Sequence, residues 1–316
     1  VITRRDSSSI TEHAESKVLA AHGLTAANLL AAGTEARVYA LSADRVLKIY
    51  ADPDQRGALD TLADFYQRLD RASVPCALPL IQHIEQDGPL LAVTETRLPG
   101  NPMGDVLDLT APESEATYLE AVTDLAGLRL TVPLGRRMLL THPQQPDAGP
   151  GDWNAFLAEL LHRKLPAVLP ELEQDVPGIQ DLAWRLLERL DVPYAGPEGV
   201  IHGDLYPDNL LVSEGKVTAV IDFGTFTMIG DPLYDLAGAC IYYRMYDSDR
   251  AEVRSRLLQR ASSALTSPRQ QQLTDYVHLI ALLSCDLYPE PQAHIRTTGH
   301  YQWAADVLNS PTDWMS

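Results

Sequence analysis

Three oxygen-bearing side chains stand at short intervals in the second half of the chain: Asp204 within His202-Gly203-Asp204, Asn209 five residues on, and Asp222 within Asp222-Phe223-Gly224, thirteen further. Two apolar or β-branched runs, Leu210-Leu211-Val212 and Val217-Thr218-Ala219-Val220-Ile221, flank the turn Ser213-Glu214-Gly215-Lys216 and predict a hairpin between Asn209 and Asp222. Such a rigid hairpin would hold one amide and one carboxylate on a shared pair of metal ions. The chemistry at stake is therefore metal-dependent, with the Asp204 carboxylate close by.

The set resembles the protein-kinase signature, in which His-Arg-Asp is followed by an Asn and then by Asp-Phe-Gly. That resemblance implies roles: Asp204 orients and deprotonates the attacking hydroxyl, Asn209 holds one Mg²⁺, and Asp222 holds the ion that bridges the phosphates. Gly203 stands where protein kinases carry an Arg that pairs with a phosphorylated activation loop, which argues against that mode of control. The variant His-Gly-Asp, with Gly230-Asp231-Pro232-Leu233-Tyr234-Asp235-Leu236-Ala237 after it, resembles the aminoglycoside phosphotransferase family and its choline and fructosamine kinase relatives. No Ala-Pro-Glu follows, which disfavours a protein substrate. Each short motif alone could be an ordinary turn; all of them, in order and at this spacing, are hard to reach by chance. The same resemblance makes His202 a brace for the loop and Asp235 a buried anchor whose carboxylate accepts backbone hydrogen bonds, since an unpaired buried carboxylate is costly.

The elements that must position these groups follow from pattern. Residues 12–31 look helical and then loop-like. Val38-Tyr39-Ala40-Leu41 and Val46-Leu47-Lys48-Ile49-Tyr50 read as a hairpin, and residues 78–85 and 90–94 as another. Gly33-Thr34-Glu35-Ala36 lies where kinases carry a glycine-rich phosphate cover, although only one Gly is present. By the resemblance, Lys48 clamps the α- and β-phosphates and pairs with an acid of the next helix, expected over residues 55–69. No Glu occurs there, so Asp60 and Asp64 are the candidates, with Asp64 fitting the family spacing better. The backbone of Thr94 to Thr96 would meet the purine, and backbone groups do not tell ATP from GTP.

Residues 101–200 read as helical, with helices over 118–130, 153–161 and 180–190 and a Pro- and Gly-rich loop at 141–151. This resembles the helical insertion with which the family contacts its acceptors. Residues 233–316 suggest further helices, over 234–246, 250–265 and 271–287. The aromatic-rich run 240–246, with Tyr288, Tyr301 and Trp303, could line an acceptor pocket, but core packing explains it more simply. The expected architecture is α+β and bilobal, protein-kinase-like: a small antiparallel nucleotide-binding sheet lobe over 1–96 and a larger, mostly helical catalytic and acceptor-binding lobe over 97–316.

Bulk properties agree. A chain of 316 residues can bury a large core and has room for two lobes. The net charge of −18 disfavours nucleic acid and suits a cationic acceptor, though it also serves solubility. No long apolar run marks a membrane span or a secretory signal. Cys76, Cys240 and Cys285 are too few and scattered for a disulfide framework or a zinc site, which fits a reducing cytoplasm. The expectation is a kinase that uses ATP or GTP with Mg²⁺ to phosphorylate a hydroxyl of a small molecule, such as an aminoglycoside, which would make it an antibiotic-resistance enzyme, or another amino alcohol or sugar. Two competing readings are a non-catalytic nucleotide-binding regulator, disfavoured by the complete Lys48, Asp204, Asn209 and Asp222 set, and an atypical protein kinase. Monomer and homodimer are both open.

Overall fold

The structure, a computed structural model, describes residues 4–33, 36–139, 151–287 and 294–310. Thr34, Glu35, the stretch 140–150 and Tyr288 lie outside the described residues. Helix α1 (Arg4–Ala21) leads into a five-stranded antiparallel sheet of β1 (Leu29–Ala32), β2 (Ala36–Ala40), β3 (Arg45–Tyr50), β4 (Ile81–Asp87) and β5 (Leu90–Thr96), in the order β1-β2-β3-β5-β4. Helix α2 (Arg56–Arg68) crosses from β3 to β4.

Period-two alternation sorts this sheet into two faces. Tyr39, Leu47, Ile49, Leu90 and Ala92 pack with Val18, Leu19 and Leu24 of α1 and the turn after it. Tyr50, Leu91 and Val93 face the other way, into the main core with Leu59, Phe65 and Tyr66 of α2. Lys48 lies opposite Val93, and Glu95 opposite Val46, so both acid and base belong to this second face. The two expected hairpins are present as β2–β3 and β4–β5. Strand β1 departs from the loop expected there: all four of its residues are exposed, so no burial alternation marks it, and it pairs with β2 at the edge of the sheet.

Beyond the sheet the chain is mostly helical. A short β6 (Asn101–Pro102) and α3 (Met103–Val106) precede α4 (Pro112–Leu125), α5 (Trp153–Asp175) and α6 (Ile179–Leu190). Helix α5 outruns its expected end, passing through Pro166 and Pro170; Val168 and Leu172, both fully buried, hold this half against the core despite the lost amide donors. Then come β7 (Gly199–Ile201), β8 (Leu210–Ser213), β9 (Lys216–Val220) and β10 (Met228–Gly230). Helices α7 (Leu233–Tyr242), α8 (Arg250–Ser262) and α9 (Ser267–Ser284) follow as expected, and α10 (Gly299–Leu308), capped by Thr298, adds a helix not singled out from the sequence. The chain is thus α+β, with an antiparallel sheet in its first third and helices dominating the rest. Among the described residues no helix is long and apolar enough to cross a membrane.

Candidate active site

Strand β7, paired antiparallel with β10, delivers the chain into His202, Gly203 and Asp204. The turn that follows needs glycine at 203. Its φ is +81°, and a Cβ there would sit 2.1 Å from the Phe226 carbonyl oxygen. The protein-kinase Arg therefore has no room at this position, which gives the His-Gly-Asp variant a steric cause.

Asp235, in the first turn of α7, fixes the loop from behind. Its carboxylate accepts the His202 N–H at 2.7 Å and the Gly203 N–H at 2.8 Å. This is the anchor role expected for it. Burial raises the carboxyl to about 7, against the pull of those two N–H donors and with the push of Asp204. The His202 ring lies 2.8 Å from the Ile221 carbonyl through Nε2, and its Nδ1 receives the Asp204 N–H at 3.3 Å. A carbonyl on one side and an N–H on the other select the neutral tautomer protonated at Nε2. Burial agrees, lowering the imidazole to about 4. His202 packs on Phe223, with ring centroids 4.5 Å apart, and Phe223 in turn meets Phe65 and Tyr66 of α2. Behind the loop the Tyr118 hydroxyl of α4 donates to the Leu205 carbonyl.

The β8–β9 hairpin predicted from sequence sets Asn209 and Asp222 side by side. Leu210 pairs with Val220, and the Ile221 N–H donates to the Asn209 carbonyl at 3.0 Å, so the residue before one strand abuts the residues after the other. The Asn209 side-chain amide donates to the Asp204 carbonyl at 2.7 Å, which leaves its oxygen as the atom able to meet a cation. Asp222 has a φ of +62°, a left-handed conformation that Asp tolerates better than most residues, and its side chain is 57% exposed. Asp204 is largely buried, and that burial, followed by repulsion from Asp222, raises its carboxyl to about 6. Among the described residues no group of three His, Cys, Asp or Glu side chains forms a metal cage. An amide oxygen and an exposed carboxylate are nevertheless the hard donors that suit Mg²⁺, which commonly takes one or two carboxylates plus phosphate oxygens and water.

Lys48 reaches this site from β3, with Nζ 3.4 Å from Asp222 Oδ1. Its other partner corrects the expectation of a helix acid. Asp64 is bound to Arg68 of its own helix at 2.9 Å and Asp60 to Arg56 at 3.0 Å, whereas Glu95 of β5 lies 3.2 Å from Lys48. Burial would lower the Lys48 ammonium, but Glu95 and then Asp222 outweigh it and hold the group well above the usual lysine range. Sequence reasoning passed over Glu95 because the stretch Thr94 to Thr96 was read only for its backbone, as the purine contact. The available signal was its parity: a lone acid two residues beyond Val93, in a strand with no other charged residue.

The remaining expected nucleotide contacts are placed as follows. Gly33 follows β1, its N–H donating to the Ala36 carbonyl at 2.9 Å. Thr94 lies opposite Leu47 within β5, on the sheet face away from Lys48. The N–H of Thr96 donates to the Leu80 carbonyl at 3.0 Å, so a purine contact from Thr96 would use another of its atoms. Of the aromatic group, Tyr242, Tyr243, Tyr301 and Trp303 are buried in the helical core. Tyr246 is 59% exposed, and Tyr206 stacks on Tyr242 at 5.1 Å just past Asp204.

A family model described as the phosphotransferase enzyme family, APH, matches residues 26–271, and the chain belongs to that family. A homoserine kinase of Chelativorans sp. is 30% identical over 195 residues, covering 58% of this chain and 57% of that protein. A homoserine kinase of Beijerinckia indica is 27% identical over 179 residues, covering 55% and 54%. The chain thus matches a little over half the length of these relatives. Among solved structures, a thermostable mutant of aminoglycoside phosphotransferase APH(4)-Ia in ternary complex with ADP and hygromycin B aligns with a TM-score of 0.61 at 19% identity, over 94% of this chain and 95% of that one. Macrolide 2'-phosphotransferase MphH from Brachybacterium faecium aligns with a TM-score of 0.55 at 21% identity, over 95% and 99%. At these identities the likeness is one of fold, the protein-kinase-like α+β arrangement expected from the sequence.

Proposed function

We propose that the protein is a small-molecule kinase that transfers the γ-phosphoryl group of ATP or GTP to an acceptor hydroxyl. The observation that carries this is the convergence of Lys48, Asp204, Asn209 and Asp222, from three chain segments, around one anchored loop. Phosphoryl transfer asks the protein for positioning and charge neutralisation more than for covalent chemistry. Asp204 orients the acceptor hydroxyl and takes its proton. Lys48 donates to the α- and β-phosphates. Asn209 and Asp222 would hold Mg²⁺, which supplies neutralisation of the phosphate charge. The neutral His202 and Asp235 keep the loop in shape and do not react.

For the acceptor, the homoserine kinases support a small amino alcohol, because their identity extends to 30% over 195 residues. The aminoglycoside and macrolide enzymes support larger antibiotic acceptors through the fold alone. An acceptor amine suits the net charge of −18. We place the division between the nucleotide-binding and acceptor-binding lobes after Thr96, where β5 ends, and take the cytoplasm as the compartment, which the free thiols of Cys76, Cys240 and Cys285 fit. Thermal shift with ATP or GTP plus Mg²⁺, then with homoserine, choline, fructosamines, aminoglycosides and macrolides, tests the reading. A rise with nucleotide and with one acceptor class supports it; no rise with any nucleotide overturns it.

A further inference from the structure

We infer that Glu95 is the residue that positions Lys48, that it does so by drawing the ammonium away from Asp222, and that this frees nucleotide binding from any acid of α2. The inference rests on the kinase reading and adds a positioning residue to it.

Among the described residues the Lys48 ammonium has two carboxylates within reach, at 3.2 Å in Glu95 and 3.4 Å in Asp222. They differ in setting. The Glu95 side chain is 5% exposed and that of Asp222 57% exposed. Glu95 is rooted in the interior strand β5, next to β3 and on the same sheet face as Lys48, so the pairing is fixed by register. A buried carboxylate left without its cation is costly, and the converse holds for a buried ammonium. With Glu95 present, Lys48 is neutralised inside the sheet and Asp222 keeps a share of its negative charge for a cation. With Glu95 neutral, Asp222 is the carboxylate that remains paired with Lys48 among the described residues, and lysine and Mg²⁺ compete for it.

The α2 side of the argument is independent. Asp60 and Asp64 are both engaged by arginines four residues away on their own helix, at 3.0 and 2.9 Å. Helix α2 instead contributes Phe65 and Tyr66, which pack on Phe223 beside the metal-ligand candidate. The ion pair that sets Lys48 is thus internal to the sheet and does not depend on where α2 lies.

The test is ADP binding by calorimetry as a function of Mg²⁺, which requires no turnover. Glu95→Gln is expected to raise the Mg²⁺ concentration needed for half-maximal ADP binding by about tenfold, as roughly one extra charge contact at Asp222 would. Glu95→Asp should recover part of that loss, and Asp60→Asn and Asp64→Asn should leave it unchanged. The double variant Lys48→Gln/Glu95→Gln removes the competing ammonium along with the buried charge. It should return the Mg²⁺ requirement toward that of the wild type while ADP affinity stays weak. An unchanged Mg²⁺ requirement in Glu95→Gln, or a raised one that the double variant fails to relieve, overturns the inference, and a shift in Asp64→Asn equal to that of Glu95→Gln does so too. If Glu95→Gln does not fold, the double variant and Glu95→Asp carry the same comparison. Failure of the wild type to bind ADP at any Mg²⁺ concentration would instead overturn the kinase reading itself.

Discussion

The Asp235 carboxylate accepts the His202 backbone N–H at 2.7 Å across 33 residues of chain, and so ties the start of α7 to the start of the loop that carries Asp204. The same carboxylate takes the next N–H, that of Gly203. Replacing it with Ala leaves two buried donors unpaired, at a cost of about 2–5 kcal/mol. Asp235→Ala should lower the melting temperature and activity together. Asp235→Asn, which keeps one carbonyl acceptor, should fall between it and the wild type when both are followed by thermal denaturation.

Gly203→Ala should be worse than its size suggests. The added Cβ must displace the Phe226 carbonyl, 2.1 Å away, and occupy a φ of +81°. Strain of this kind costs about 1–3 kcal/mol for the backbone alone, before any clash. We expect loss of stability with collapse of kcat, measured on purified protein. A variant with unchanged melting temperature and kcat would show that the turn is not as tight as described.

The pH profile follows from Asp204. Its carboxyl, raised to about 6 by burial and then by Asp222, is protonated below that value and could not then act as the proposed base. Activity should therefore fall as pH drops through about 6 and level off above it. A cation bound at Asp222 replaces repulsion by attraction and moves the limb downward, so raising Mg²⁺ should shift it to lower pH. A profile flat between pH 5 and 8 at low Mg²⁺ would remove Asp204 from the base role.

Much of this site could be read before the fold was known, and the reasons differ residue by residue. Asp204, Asn209 and Asp222 were legible because their geometry is local: one turn and one hairpin, both written in nearby residues. Asp235 was legible through its own motif. The Lys48 partner was not, because pairing across β3 and β5 depends on strand register, and two helix acids at a familiar spacing offered a nearer answer. In the structure those acids satisfy arginines of α2. Strand β1 was missed because an exposed edge strand has no buried face to pattern, and α5 was read only to residue 161, whereas packing carries the helix on through two prolines.

The most direct test of the account is transfer of labelled γ-phosphoryl to acceptor by the wild type, Asp204→Ala and Asp222→Ala, each first shown to be folded. The account predicts Mg²⁺-dependent transfer to a hydroxyl of one acceptor class, beginning with homoserine, and a loss of roughly a thousandfold or more in kcat for each variant. Transfer at near wild-type rate by either folded variant would contradict it.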